Sequence, residues 1–170
     1  MWRHARWIFG VPLVAAVSAS GSPRVAALIT HEIVVVYIGA GGVDGAMAGL
    51  ADSVRLAAAR QITGPGRQFR LHGISIDPEV DAGVRDLARV GAFDEISVGG
   101  NWTNSAVVRY LGGDFGRDYP TTAVPQVIVL ERDIDNQITT LHVGPERELA
   151  RYVGTDKIWD WARHGAPLSK

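Results

Sequence analysis

The chain contains no cysteine. That absence excludes disulfides, thiolate nucleophiles, iron–sulfur clusters and cysteine-based zinc sites together, because each needs a sulfur atom. A basic excess is also missing, with 17 Lys and Arg against 18 Asp and Glu and a net charge of −1. Nucleic acid is therefore not an expected partner, since phosphate contacts need surplus positive charge. There is no internal repeat and no low-complexity segment. No apolar run reaches the ~20 residues of a spanning helix. What remains is a chain of 170 residues, 46% hydrophobic and 21% charged. That composition favours one packed domain over disorder.

The N-terminus reads as an address. Arg3, His4 and Arg6 precede the apolar stretch WIFGVPLVAAVSA over residues 7–19, and no charge occurs from Trp7 to Pro23. A positive start, a short apolar stretch and the small residues Val17-Ser18-Ala19 fit a secretory signal cleaved after Ala19. A short uncleaved membrane anchor is the alternative, and Pro12 argues against a buried first helix. Residues 1–19 are thus expected to be a leader or anchor. The rest is expected to act in the periplasm or elsewhere outside the cytoplasm, soluble or membrane-anchored through that segment.

The remainder reads as an α/β domain over residues 22–165. Ser22-Pro23 suits the start of a short helix over 24–31. Ile33 to Ile38 is a continuous β-branched run of the kind that fills a strand covered on both faces. GAGGVDGAMAG then leads into a helix marked by Met47, Leu50, Val54, Ala58 and Ile62, ended by Gly64-Pro65-Gly66. Phe69 to Ile76 reads as a strand, and Asp77-Pro78 as the cap and first turn of a helix carrying Val80, Val84 and Leu87. A short strand at Ile96–Val98 and a short helix over 104–111 follow. Residues 126–131 and 137–142 form a hairpin around a polar RDIDN turn. Pro145 opens a helix over 146–153, and Thr155 caps a last one over 156–164. The sum is a mixed sheet with helices on both faces.

The histidines show no metal-ligand spacing. His31, His72, His142 and His164 are scattered, although His72 and His142 both fall in expected strands. No Gly-x-Ser-x-Gly elbow and no marked carboxylate pair is present.

The segment Val34-Val-Val-Tyr-Ile-Gly-Ala-Gly-Gly-Val-Asp-Gly-Ala-Met47, together with Val124-Pro125-Gln-Val-Ile-Val-Leu130, resembles the thioredoxin-like family, in particular its exported, cytochrome-maturation branch. The likeness covers about residues 22–154. It implies a thioredoxin-like three-layer sandwich with a small inserted strand and helix, and a cis peptide at Pro125. It also places Gly42 and Gly45 at the positions of the family's two cysteines. Dithiol–disulfide exchange is excluded, since neither residue nor any other in the chain supplies a thiol.

The expected function is accordingly a redox-inactive domain that binds a protein or peptide, or serves as an accessory subunit of an envelope complex, without cofactor or metal. Its contact surface would be Gly42, Val43, Asp44 and Gly45 with Ala123, Val124, Pro125 and Gln126. An enzyme of unknown chemistry on the same fold is one alternative. Another is a Rossmann-type dinucleotide domain, since strand, glycines and helix follow one another. Gly39 and Gly41 would put that fingerprint's third glycine at residue 44, which is Asp44, and a carboxylate there repels pyrophosphate. Trp159 and Trp161 suit either an interface or the packing of the last helix.

Overall fold

A computed structural model describes residues 28–112, 123–137 and 140–168. Its centre is strand β1 (Leu28–Gly39), which pairs in parallel with β2 (Arg67–Ser75) on one side and antiparallel with β4 (Gln126–Gln137) on the other. Beyond β2 lies the short parallel strand β3 (Glu95–Ser97). Beyond β4, two strands share one edge. β5 (Thr140–Val143) pairs with the second half of β4, and β6 (Arg147–Val153) with the first half, both antiparallel. The helices are α1 (Gly41–Asp44), α2 (Leu50–Gln61), α3 (Val80–Val90), α4 (Ser105–Leu111) and α5 (Thr155–Arg163).

The run in β1 lacks a polar alternation because both faces of the strand are covered. Val35 and Tyr37 join a core with Leu50 and Val54 of α2, Leu87 and Val90 of α3, and Ile158 and Trp161 of α5. Val34, Val36 and Ile38 face the other way, packing with Ile74, Ile128, Leu130 and the α4 residues Val107 and Tyr110. Each of these β1 side chains is essentially fully buried, a stabilisation of about 1.5–3 kcal/mol apiece for the aliphatic ones. The result is a mixed sheet between helices on both faces. The two tryptophans serve packing: Trp161 is buried and stacks on Tyr152 at 5.1 Å, and Trp159 lies partly buried against the same core.

Several local expectations are corrected. Leu28–His31, expected at the end of a helix, is strand, because its backbone pairs with Asp133–Asn136 of β4. The RDIDN segment is not a turn but the continuation of β4, paired with β1 on one side and, from Ile134, with β5 on the other. Residues 138–139, between β4 and β5, lie outside the described residues. Residues 147–153 form strand β6 rather than a helix, held by pairing with Gln126–Glu131. The long helix after β1 is interrupted: α1, a 3-10 turn at Gly45–Met47 and a left-handed Gly49 (φ 77°) precede α2. Asp77 does not cap α3, whose first turn starts at Val80 after Glu79, and Gly154 rather than Thr155 holds the N-cap position of α5. The helix over 104–111 does form, with the Asn104 side chain accepting from Ala106 N–H at 2.9 Å. His72 and His142 are not neighbours, since β1 and β4 stand between their strands.

Candidate functional site

The last antiparallel partners of β1 and β4 are Ile38 and Gln126. The turn leaving β1 and the loop entering β4 therefore sit side by side at one end of the sheet, and all eight residues expected for the contact surface lie in those two segments. Gly42, Val43 and Asp44 belong to α1, and Gly45 opens the 3-10 turn. Ala123 is exposed, Val124 half-buried, and Pro125 and Gln126 buried. The Val124–Pro125 peptide is cis. The loop is tied down from below. Gln126 Nε2 donates to Ala123 O at 2.6 Å, Arg151 Nη1 donates to Gln126 Oε1 at 3.0 Å, and Gly154 N–H donates to Pro125 O at 2.9 Å.

The glycines of the turn differ in purpose. A Cβ on Gly42 or Gly45 would meet no atom of the described residues within 4 Å beyond its chain neighbours, and neither residue has positive φ. Gly41 has no such room. Its N–H donates to Asp77 Oδ1 at 3.3 Å, and a Cβ there would lie 3.3 Å from that oxygen and run into Asp86 Oδ2. Asp77 is fixed by the fully buried Ser75, whose hydroxyl donates to Asp77 Oδ2. A carboxylate thus already occupies the first N–H of the turn, where the positive end of a helix would otherwise attract an anion. From the other side, Trp159 Nε1 donates to Ala46 O at 2.9 Å and fastens the turn to α5.

No family model, curated protein or solved structure matches the chain.

A second polar site, absent from the sequence expectations, lies on the sheet face that carries α4. Glu32 is completely buried and accepts from Arg70 Nε and Arg132 Nε, each at 2.7 Å, with Arg132 Nη2 also at 2.6 Å. Arg132 Nη1 reaches Glu146 Oε1 at 2.9 Å, and Arg109 Nη2 reaches the other oxygen of Glu146 at 3.0 Å. Burial opposes the charge on Arg132, but Glu32 and Glu146 hold its guanidinium above the usual arginine range. Beside this chain of charges, a cavity of about 370 Å³ opens between β2, β3 and α4, lined among others by His72, Glu95, Ser105, Arg109, Tyr110 and Arg132. His72 is only 8% exposed, and its Nε2 has no hydrogen-bond partner among the described residues. Glu95 Oε2 lies 3.5 Å away. Burial pushes the imidazole pKa down; Glu95 and Glu32 oppose the shift while Arg132 and Arg70 add to it. Burial pushes the Tyr110 phenol up. The sequence held little signal for this site, because Glu32 and Arg132 meet only through the β1–β4 register. Among the described residues no group of three His, Asp or Glu side chains could hold a metal ion.

Proposed function

We propose that the chain is a redox-inactive module of thioredoxin-like design that binds a protein or peptide outside the cytoplasm through the turn after β1 and the loop before β4. The observation that carries this reading is the Ile38–Gln126 pairing, which sets Gly42–Gly45 beside Ala123–Gln126 as one surface. Part of the order of elements supports it: a parallel β1–β2 unit and an added short strand and helix precede the antiparallel β4, as the resemblance implies. The helix expected over 146–153 is instead strand β6, so that part of the expected order lends no support. With no thiol in the chain, the surface is left for recognition rather than exchange. Among the described residues nothing crowds a Cβ at Gly42 or Gly45, which would let a partner's backbone approach closely.

Export or anchoring belongs to the same proposal and rests on the charge and hydropathy pattern of residues 1–19, which lie outside the described residues. Among the described residues no helix is long and apolar enough to cross a membrane. The dinucleotide alternative is less favoured: the Asp77 carboxylate occupies the Gly41 N–H that a pyrophosphate needs, and the second neighbour of β1 is antiparallel.

Site-specific photo-crosslinking in the producing cell tests the reading. A photoreactive residue at Gly42 should give a discrete adduct in the envelope fraction, whereas one at the exposed Arg67, at the far end of β2, should not. Adding Gly45→Trp should abolish the adduct. Equal labelling at both positions, or none at Gly42, would remove the binding reading.

A further inference from the structure

We propose that the cavity between β2, β3 and α4 is a binding site for a small free amino acid, a zwitterion held by its carboxylate on Arg109 and by its ammonium group between Glu95 and His72. This site lies apart from the surface after β1 and does not depend on the function proposed for that surface.

The assignment follows from what each lining group has left to offer. Arg132 is largely engaged: Nε, Nη1 and Nη2 each contact Glu32 or Glu146, which takes three of its five N–H donors and leaves it chiefly a fixed positive charge. Arg109 differs. One Nη2 contact goes to Glu146, the side chain is 54% exposed, and the rest of its planar fork has no hydrogen-bond partner among the described residues. A carboxylate is the group that such a fork receives best.

The opposite wall has the reverse character. Glu95 contributes a carboxylate whose Oε2 lies 3.5 Å from His72 Nε2. His72 Nε2 is buried with no hydrogen-bond partner among the described residues, which costs free energy unless something fills the position. In a neutral imidazole with its proton on Nδ1, Nε2 is an acceptor. An ammonium group carries three donors, enough to serve Glu95 and His72 Nε2 together. A bare carboxylate would meet repulsion from Glu95, and a bare amine would leave Arg109 unused. One molecule carrying both groups satisfies both walls. The volume of about 370 Å³ is at the small end of ligand pockets and suits a molecule of amino-acid size.

Calorimetry and thermal unfolding on the protein as its cell produces it decide the question, with glycine, β-alanine and γ-aminobutyrate as zwitterions of increasing charge separation. Acetate and methylamine are the half-ligand controls. At least one zwitterion is expected to bind with Kd of about 1 mM or tighter and to raise Tm, with both half-ligands weaker by about tenfold or more. Arg109→Gln and Glu95→Gln alter exposed side chains, so both variants should fold, as circular dichroism will show, and each should weaken the zwitterion about tenfold or more. Acetate binding as well as the best zwitterion would reduce the site to an anion pocket and overturn the proposal. So would the absence of heat and Tm shift with all three zwitterions, or unchanged affinity in both folded variants.

Discussion

Ile38 and Gln126 face each other across the antiparallel β1–β4 pair, and Gln126 is in turn held by Arg151 from β6. That arrangement fixes the loop before β4 from two sides while the turn after β1 is fastened by Asp77 and Trp159. Both halves of the candidate surface are thus mounted on the rigid centre of the molecule. Preorganised backbone of this kind lowers the ordering cost of binding.

The contrast between Gly41 and Gly42 gives a stability prediction. Gly41→Ala drives a methyl group into Asp86, which is paired with Arg89, and crowds Asp77. It should destabilise by about 1–3 kcal/mol. Gly42→Ala adds a methyl group that meets no described residue beyond its chain neighbours within 4 Å, at a backbone angle that Ala can adopt, and should be neutral or stabilising by up to about 1 kcal/mol. Urea midpoints of the two variants against the parent measure both effects. Equal losses in the two would show that the turn is not cradled as described.

Glu32 is the keystone of the charge chain. Glu32→Ala removes the carboxylate that binds Arg132 through two of its nitrogens and leaves that 13%-exposed guanidinium, among the described residues, with Glu146. The expected loss is about 3–5 kcal/mol, the cost of leaving a buried charge undercompensated. Arg70→Ala removes a partner that is 46% exposed, and should cost about 0–1 kcal/mol. Denaturant unfolding of both variants makes the comparison.

How much of this was legible beforehand varies element by element. The Ile33–Ile38 run announced a central strand because no polar residue interrupts it, and a short helix was legible over 104–111, although not that Asn104 caps it. Residues 147–153 did not announce a strand. RELARYV is rich in good helix formers, and only the hydrogen bonds offered by β4 reverse that preference. The polar RDIDN stretch misled for a related reason. Its charges suggest a turn, yet Arg132 points to Glu32 and Ile134 is buried, so the segment is a strand with one buried ionic position. That the turn after β1 and the loop before β4 lie side by side followed from the order of motifs and the resemblance. The cavity did not follow, because its charges come from β2, β3, α4 and β4 and converge only after the sheet is paired.

Stability should depend on pH through His72. Its folded pKa lies below the ordinary value of 6.5, chiefly because of burial, so below that value the unfolded chain binds more protons. The contribution of the neutral imidazole is fully present above pH 6.5 and is lost as pH falls through the folded pKa. Asp94 acts on the acid side. Burial pushes its pKa up, but the Leu71 N–H at 2.8 Å and Arg55 at 2.9 Å outweigh burial and hold it below 3.8. Its contribution is present above 3.8 and fades as pH falls through the lowered folded value. Urea midpoints from pH 7 downward should therefore drop in two stages, and His72→Gln should flatten the first stage only. A parent midpoint that rises between pH 6.5 and 5 would contradict the assignment.

The last prediction restores chemistry to the turn. If Gly42 and Gly45 stand where a dithiol pair belongs, Gly42→Cys with Gly45→Cys should fold and close an intramolecular disulfide under mild oxidation. Neither position has positive φ, and neither Cβ meets an atom of the described residues beyond its chain neighbours within 4 Å, so the described structure gives the substitutions no strain. The three-residue spacing across α1 and the following 3-10 turn places both side chains on one face of the turn. Placement at a helix start lowers the first thiol below the free value of about 8.5, while Asp44 between the two positions opposes that shift through its charge. Bond closure should therefore be efficient and insulin reduction slow. Intact mass before and after oxidation reads the first, and turbidity of reduced insulin reads the second. A double variant with the parent's circular dichroism that cannot close the bond would show that these two glycines do not occupy the positions of a dithiol pair. Failure of Gly42→Cys alone to react with a small alkylating reagent in the folded state would show, in addition, that the surface is not open.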